Sequence, residues 1–292
     1  MQSNNPVFRR SEEFHAGGTN AYGNQTYAGG GGTYQGYGAD PSTWGTGTPG
    51  VPGQPTEAPP TRGPMTIDTV VQKTAISIGL VILAALATWI LTPEIGVGAT
   101  AEDLSPLFAA VTIGSLGAFG LSLVNSFKRV VSPALVIAFA LLEGVALGAI
   151  SKLFNAMFEG NVVMGAVIGT FAAFGGTLAA YKFFNIQVGA KFRMFVIAAM
   201  FGMVGLSVME LVLSLFDAQI GLFGVSGLGM VTAFAGLILG IFMLILDFDF
   251  VEQGIANGLP ERESWRAAFA MTVSLVWIYT NLLRILAILQ QD

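Results

Sequence analysis

Four carboxylates fall inside apolar runs: Glu143 in SPALVIAFALLEGVALGAIS, Glu210 in FGMVGLSVMELVLSLF, and Asp247 and Asp249 in LILDFDF. A carboxylate in bilayer hydrocarbon costs roughly 2.5–3.5 kcal/mol or more, so each marks a functional position by default and faces a bundle interior rather than lipid. Carboxylate oxygens suit a hard cation such as Ca²⁺. Single acids spaced along a path also bind weakly enough to release what they hold, which conduction requires. Counted from the start of its run at about 1.5 Å per residue, Glu143 lies roughly 15 Å in, near the midplane, and Glu210 roughly 24 Å in, toward the far side. Asp247 and Asp249 close their run. Residues two apart point to different helix faces, so at most one of the two addresses a pathway, and Asp247 is the deeper. Glu143 and Asp247 lead the candidates, with Glu210 third. Each has a structural alternative. Glu143 can be a neutral, hydrogen-bonded carboxyl, Glu210 can pair with Arg284, and the two aspartates can be interfacial helix caps.

Other chemistries lack their residues. There are no cysteines, and the single histidine, His15, cannot build a metal site or serve a serine nucleophile within the apolar runs. GxxxxGK[ST], HExxH and GxSxG are all missing. An intramembrane aspartyl protease needs facing aspartates, whereas Asp247 and Asp249 share one helix. The 13 basic residues are scattered, which disfavours nucleic acid. No enzyme, resident cofactor or metal centre is expected.

The elements that position the acids follow from composition. Of 292 residues 53% are hydrophobic and 11% charged, and mean hydropathy is +0.67. A soluble domain carries about 25% charged residues. Seven apolar runs, each near the ~20 residues needed to cross ~30 Å of hydrocarbon, predict an all-α polytopic bundle within 65–292. They cover Thr74 to Thr92, Pro106 to Phe127, Pro133 to Phe154, Asn161 to Phe184, Met194 to Phe216, Gly224 to Phe250 and Trp265 to Leu289. Lys and Arg collect before the first run and in the second-to-third, fourth-to-fifth and sixth-to-seventh connections, while the other connections hold mainly acids. The positive-inside rule then puts the N-terminus in the cytoplasm and the C-terminus outside. Lys152 is the exception, close enough to a helix end to snorkel. Intramembrane glycines, among them Gly144 with Gly148 and Gly236 with Gly240 at GxxxG spacing, suit close helix packing. Residues 1–64, rich in Gly, Pro, Thr and Tyr, read as a disordered cytoplasmic tail. Its NPVFRRSEEF segment, Asn5 to Phe14, is a docking candidate.

With these pieces in order, the chain resembles the Bax-inhibitor family, the transmembrane Bax inhibitor motif proteins, from about Thr74 to the end. The carrying stretches are SPALVIAFALLEGVALGAIS, GTFAAFGGTLAAYK, LILDFDF and TNLLRIL. NPVFRRSEEF, DFDFVEQG and PERESWRAAF are similar to the bacterial, actinobacterial-type branch. The resemblance implies seven helices with a central one enclosed by the others, and a pH-modulated calcium leak channel or exchanger of the cytoplasmic membrane. It also implies an alternative, a non-conducting regulator that binds membrane proteases or other membrane proteins. In the family, gating is attributed to two hydrogen-bonded aspartates. The sixth-helix one matches Asp247. The seventh-helix position falls on Asn281 or on Ser274, depending on the alignment, and neither is acidic. Two neighbouring carboxylates share a proton because both cannot ionise. An Asp–Asn or Asp–Ser pair needs none, so pH sensitivity is expected to be blunted, or moved to Glu143 and Asp249.

Overall fold

The structure is a computed structural model and describes residues 63–96, 100–158, 161–224 and 226–290. The tail assigned to 1–64 lies almost wholly outside the described residues. Seven helices follow in order: α1 (Ile67–Leu91), α2 (Ala101–Phe127), α3 (Pro133–Met157), α4 (Val162–Phe183), α5 (Ala190–Ser214), α6 (Gly227–Ala256) and α7 (Ser264–Leu289). All seven are long and apolar enough to cross a membrane. No strand occurs among the described residues; one isolated bridge joins Pro64 to Pro260.

Local chemistry sets several ends. Thr66 and Thr69 form a reciprocal capping box that starts α1, and Thr100 with Asp103 does the same for α2. Pro133 occupies the first turn of α3, where its missing N–H costs nothing. Gly258, at φ 64°, makes the turn between α6 and α7 in a left-handed conformation that glycine adopts without penalty. α1 and α6 outrun their apolar segments furthest. α1 begins at Ile67 rather than near Thr74, because the Thr66 cap satisfies its first amides. α6 runs to Ala256 rather than stopping near Phe250, because backbone bonding continues past the hydrophobic boundary through Glu252 and Gln253.

α7 is the hub. It packs against α6, α1, α4 and α3, while α2 rests mainly on α3 and α5 mainly on α6. Around Tyr279 and Leu283, side chains of α1, α3 and α4 close one half of the core. Met65, Leu244, Phe248, Met271 and Leu275 close the other. Glycines make the tightest approaches: a Cβ at Gly114 would stand 2.8 Å from the Ala146 nitrogen, and one at Gly144 or Gly148 would strike the α1 carbonyls of Val81 or Ala85. Close packing does not account for every intramembrane glycine, since Gly120, Gly175, Gly176, Gly202 and Gly205 have nothing within 4 Å of a built Cβ.

A strap closes the end where α6 finishes. Met65 N donates to Leu259 O at 2.7 Å and Glu261 N to Gly63 O at 2.9 Å. Lys73 Nζ meets the Glu261 carboxylate at 2.8 Å, and the hydroxyls of Thr69 and Ser264 are 2.8 Å apart.

Candidate functional site

Asp247 lies about 14 Å before the end of α6 at Ala256, at roughly 1.5 Å per residue, and therefore does not cap the helix. Ser274 lies about 15 Å into α7 by the same measure. The two meet: Ser274 Oγ donates to Asp247 Oδ2 at 2.5 Å. Asn281, the other seventh-helix alternative, is two turns further on. Its amide nitrogen donates to Trp277 O at 2.7 Å and its side chain lies against Gly236. Trp277 Nε1 in turn donates to Gly236 O at 2.8 Å, so the absence of a side chain at Gly236 lets α7 approach α6 there.

Glu143 shares this level. Phe139 of α3 stacks edge-on against Phe269 of α7, with centroids 4.9 Å apart, and Ser151 of α3 bonds Tyr279 of α7 at 2.6 Å. These contacts set α3 and α7 nearly in step, which puts Glu143 level with the turn of α7 that contains Thr272 and Ser274. The expected three depths of acid are thus two: Glu143 and Asp247 occupy one cross-section, and Glu210 is separate. A hydrogen-bonded Glu143 is also not what forms, because its carboxyl has no hydrogen-bond or ion-pair partner among the described residues.

Asp249 faces elsewhere. It is buried, ion-paired to Arg193 of α5 at 2.9 Å and hydrogen-bonded by Gln253 Nε2 at 2.8 Å. It latches α5 to α6. Glu210 and Arg284 do not pair. Glu210 Oε1 accepts from Gly221 N at 2.7 Å, and Oε2 is buried without a partner beside a cavity of about 310 Å³. Arg284 donates to Leu222 O and Gly229 O, each at 3.0 Å, and to Thr232 Oγ1 at 3.2 Å, and lies over the Phe223 ring. The α5–α6 connection supplies backbone partners to both side chains and so keeps them apart. Lys152 does not snorkel to solvent; it is 7% exposed and its Nζ donates at 2.8 Å to each of Trp89 O and Thr92 O, capping α1. Sequence reading missed the Arg193–Asp249 latch and the Lys73–Glu261 bond, which join residues far apart in the chain. Their only advance signal is an unmatched charge near the end of an apolar run.

The sequence profile of the Bax inhibitor 1 like family matches residues 5–291. The chain belongs to this family. The match begins at Asn5, where the NPVFRRSEEF segment begins, so the Bax-inhibitor likeness takes in the tail as well as the bundle. A search of curated proteins finds no match. As a Bax inhibitor 1 like chain with seven apolar helices, the protein is a multi-pass membrane protein in contact with lipid.

Proposed function

We propose that this membrane protein is a pH-modulated leak channel or exchanger for calcium or other cations in the cytoplasmic membrane, with its N-terminus in the cytoplasm. The observation that carries the proposal is the cross-section shared by two acids: Asp247, held by a single hydroxyl, and Glu143, which has no partner. A carboxylate locked in an ion pair is poorly placed to exchange a cation, and neither of these is locked. Two acids at one level give a cation a brief stop rather than a cage, which conduction favours. Glu210, with a free oxygen beside its cavity, is a second stop nearer the far end.

The proposed pH response falls on Glu143. The hydrogen-bond partner of Asp247 is Ser274, which does not titrate, so that pair shares no proton, and Asp249 is engaged by Arg193.

The test is calcium flux into liposomes holding the purified chain, wild type beside Asp247→Asn and Glu143→Gln, between about pH 6 and 8. The wild type is expected to leak, Asp247→Asn to change the rate, and Glu143→Gln to flatten the pH profile. A steep pH response that disappears in Asp247→Asn overturns the assignment to Glu143. Tight liposomes for all three overturn the conduction reading in favour of a regulator of membrane proteases or other membrane proteins.

A further inference from the structure

α1 and α4 both pack on α7 but share no substantial interface with each other. Between them runs a cleft of about 350 Å³, within the range that holds small ligands. Its floor is Leu147 and Ser151 of α3 with Leu275 and Tyr279 of α7, and its lips include Leu86 and Met164, which are 54% and 60% exposed. The floor's hydroxyls are already engaged. Ser151 Oγ donates to Leu147 O at 2.6 Å, so Tyr279 donates to Ser151 Oγ, and Thr170 donates to Ala166 O at 2.7 Å. Nothing in the cleft calls for water, and an apolar cavity of this kind stays dry.

Its length is informative. The α1 lining runs from Ile78 to Trp89, about 17 Å at 1.5 Å per residue. One leaflet of a ~30 Å hydrocarbon core is about 15 Å thick. The cleft therefore extends from near mid-bilayer to one rim and no further, and its lips are continuous with the lipid-facing surface. That rim carries one buried cation, set between connections whose other charges are acidic. Lys152 uses two of its three N–H bonds on the Trp89 and Thr92 carbonyls, leaving one. α4 starts at the same end, with no side-chain cap on its first turn, so its amides point their partial positive charge outward.

We infer that the cleft between α1 and α4 is a binding site for one acyl chain of a phospholipid, whose phosphate is held at the rim by Lys152 and the first turn of α4. A neutral lipid would gain the cleft but not the rim, and a soluble phosphate the rim but not the cleft. The inference is independent of conduction: it concerns a lateral, apolar surface that Glu143 and Asp247 do not line.

Native mass spectrometry of the full chain, released into mild detergent from nanodiscs of dioleoyl phosphatidylglycerol, reads the site directly. One phospholipid is expected to stay on each chain. Val167→Trp, which fills the cleft, is expected to lower the retained fraction roughly tenfold or more by displacing buried methylenes. Met164→Trp at the lip acts in the same direction and covers the case in which Val167→Trp does not fold. Phe201→Trp, on the exposed face of α5, is expected to retain lipid as wild type does. Dioleoylglycerol, which lacks the phosphate, is expected to be retained less than the phospholipid. No retained lipid on the wild type, or equal retention by wild type and both cleft variants, overturns the site. Equal retention of dioleoylglycerol overturns the role of Lys152 and α4.

Discussion

Ser274 is 1% exposed, and the hydroxyl it gives Asp247 has no substitute nearby. Ser274→Ala removes the donor and leaves a carboxyl oxygen unsatisfied, at a cost of about 1–3 kcal/mol. Thermal unfolding in detergent is expected to show that loss, and calcium flux to change with it. Glu143→Gln is expected to behave in the opposite way. The side chain makes no bond that the substitution can break, so the melting temperature stays level or rises while flux changes. A fall comparable to that of Ser274→Ala would mean Glu143 has a structural partner. The choice between Ser274 and Asn281 was not legible in the sequence for a plain reason. They are seven residues apart, so both lie on one face of α7, and either can hydrogen-bond an aspartate. Only the register of α6 against α7 separates them. The salt bridge expected between Glu210 and Arg284 failed for a related reason, since the backbone groups that engage them belong to a connection with no regular period.

The helices themselves were legible, because seven apolar runs admit few other arrangements, but their ends were not. Hydropathy reports where lipid stops, and hydrogen bonding reports where a helix stops. The difference at α6 moved Asp247 from a helix end to well within the helix. Glycine shows the same divide between pattern and packing. Gly148→Ala drives a methyl into the Ala85 backbone and is expected to cost about 1–3 kcal/mol through overpacking. Gly205→Ala meets nothing and is expected to be neutral, or to stabilise by up to about 1 kcal/mol through helix propensity. Parallel melting curves for the two variants check both. Equal melting temperatures would mean that the α1–α3 contact yields at no cost.

For the whole molecule, the alternation of basic and acidic connections predicts a side of the membrane for each turn. The chain has no cysteine, so single cysteines can be placed without background. Lys128→Cys is expected to react with an impermeant thiol reagent only from the cytoplasmic side, and Glu94→Cys only from the opposite side. Labelling of both from one side would overturn the topology. Removing residues 1–62 is expected to leave flux intact, because the strap at Met65 and the Lys73–Glu261 bond lie beyond the cut.

The position of α7 has a consequence in time. It is the hub of the bundle and also the last of the seven helices to leave a ribosome. The stretch from Ala256 to Leu289 takes a few seconds at about 5–20 residues per second. Until it arrives, α1 rests mainly on α3, α4 lacks its main partner, and the strap has no α6–α7 turn to hold. α4, α5 and α6 must therefore wait in the membrane beside a unit of α1, α2 and α3 that already packs on itself. The bundle is closed from the inside, by the last of its seven helices.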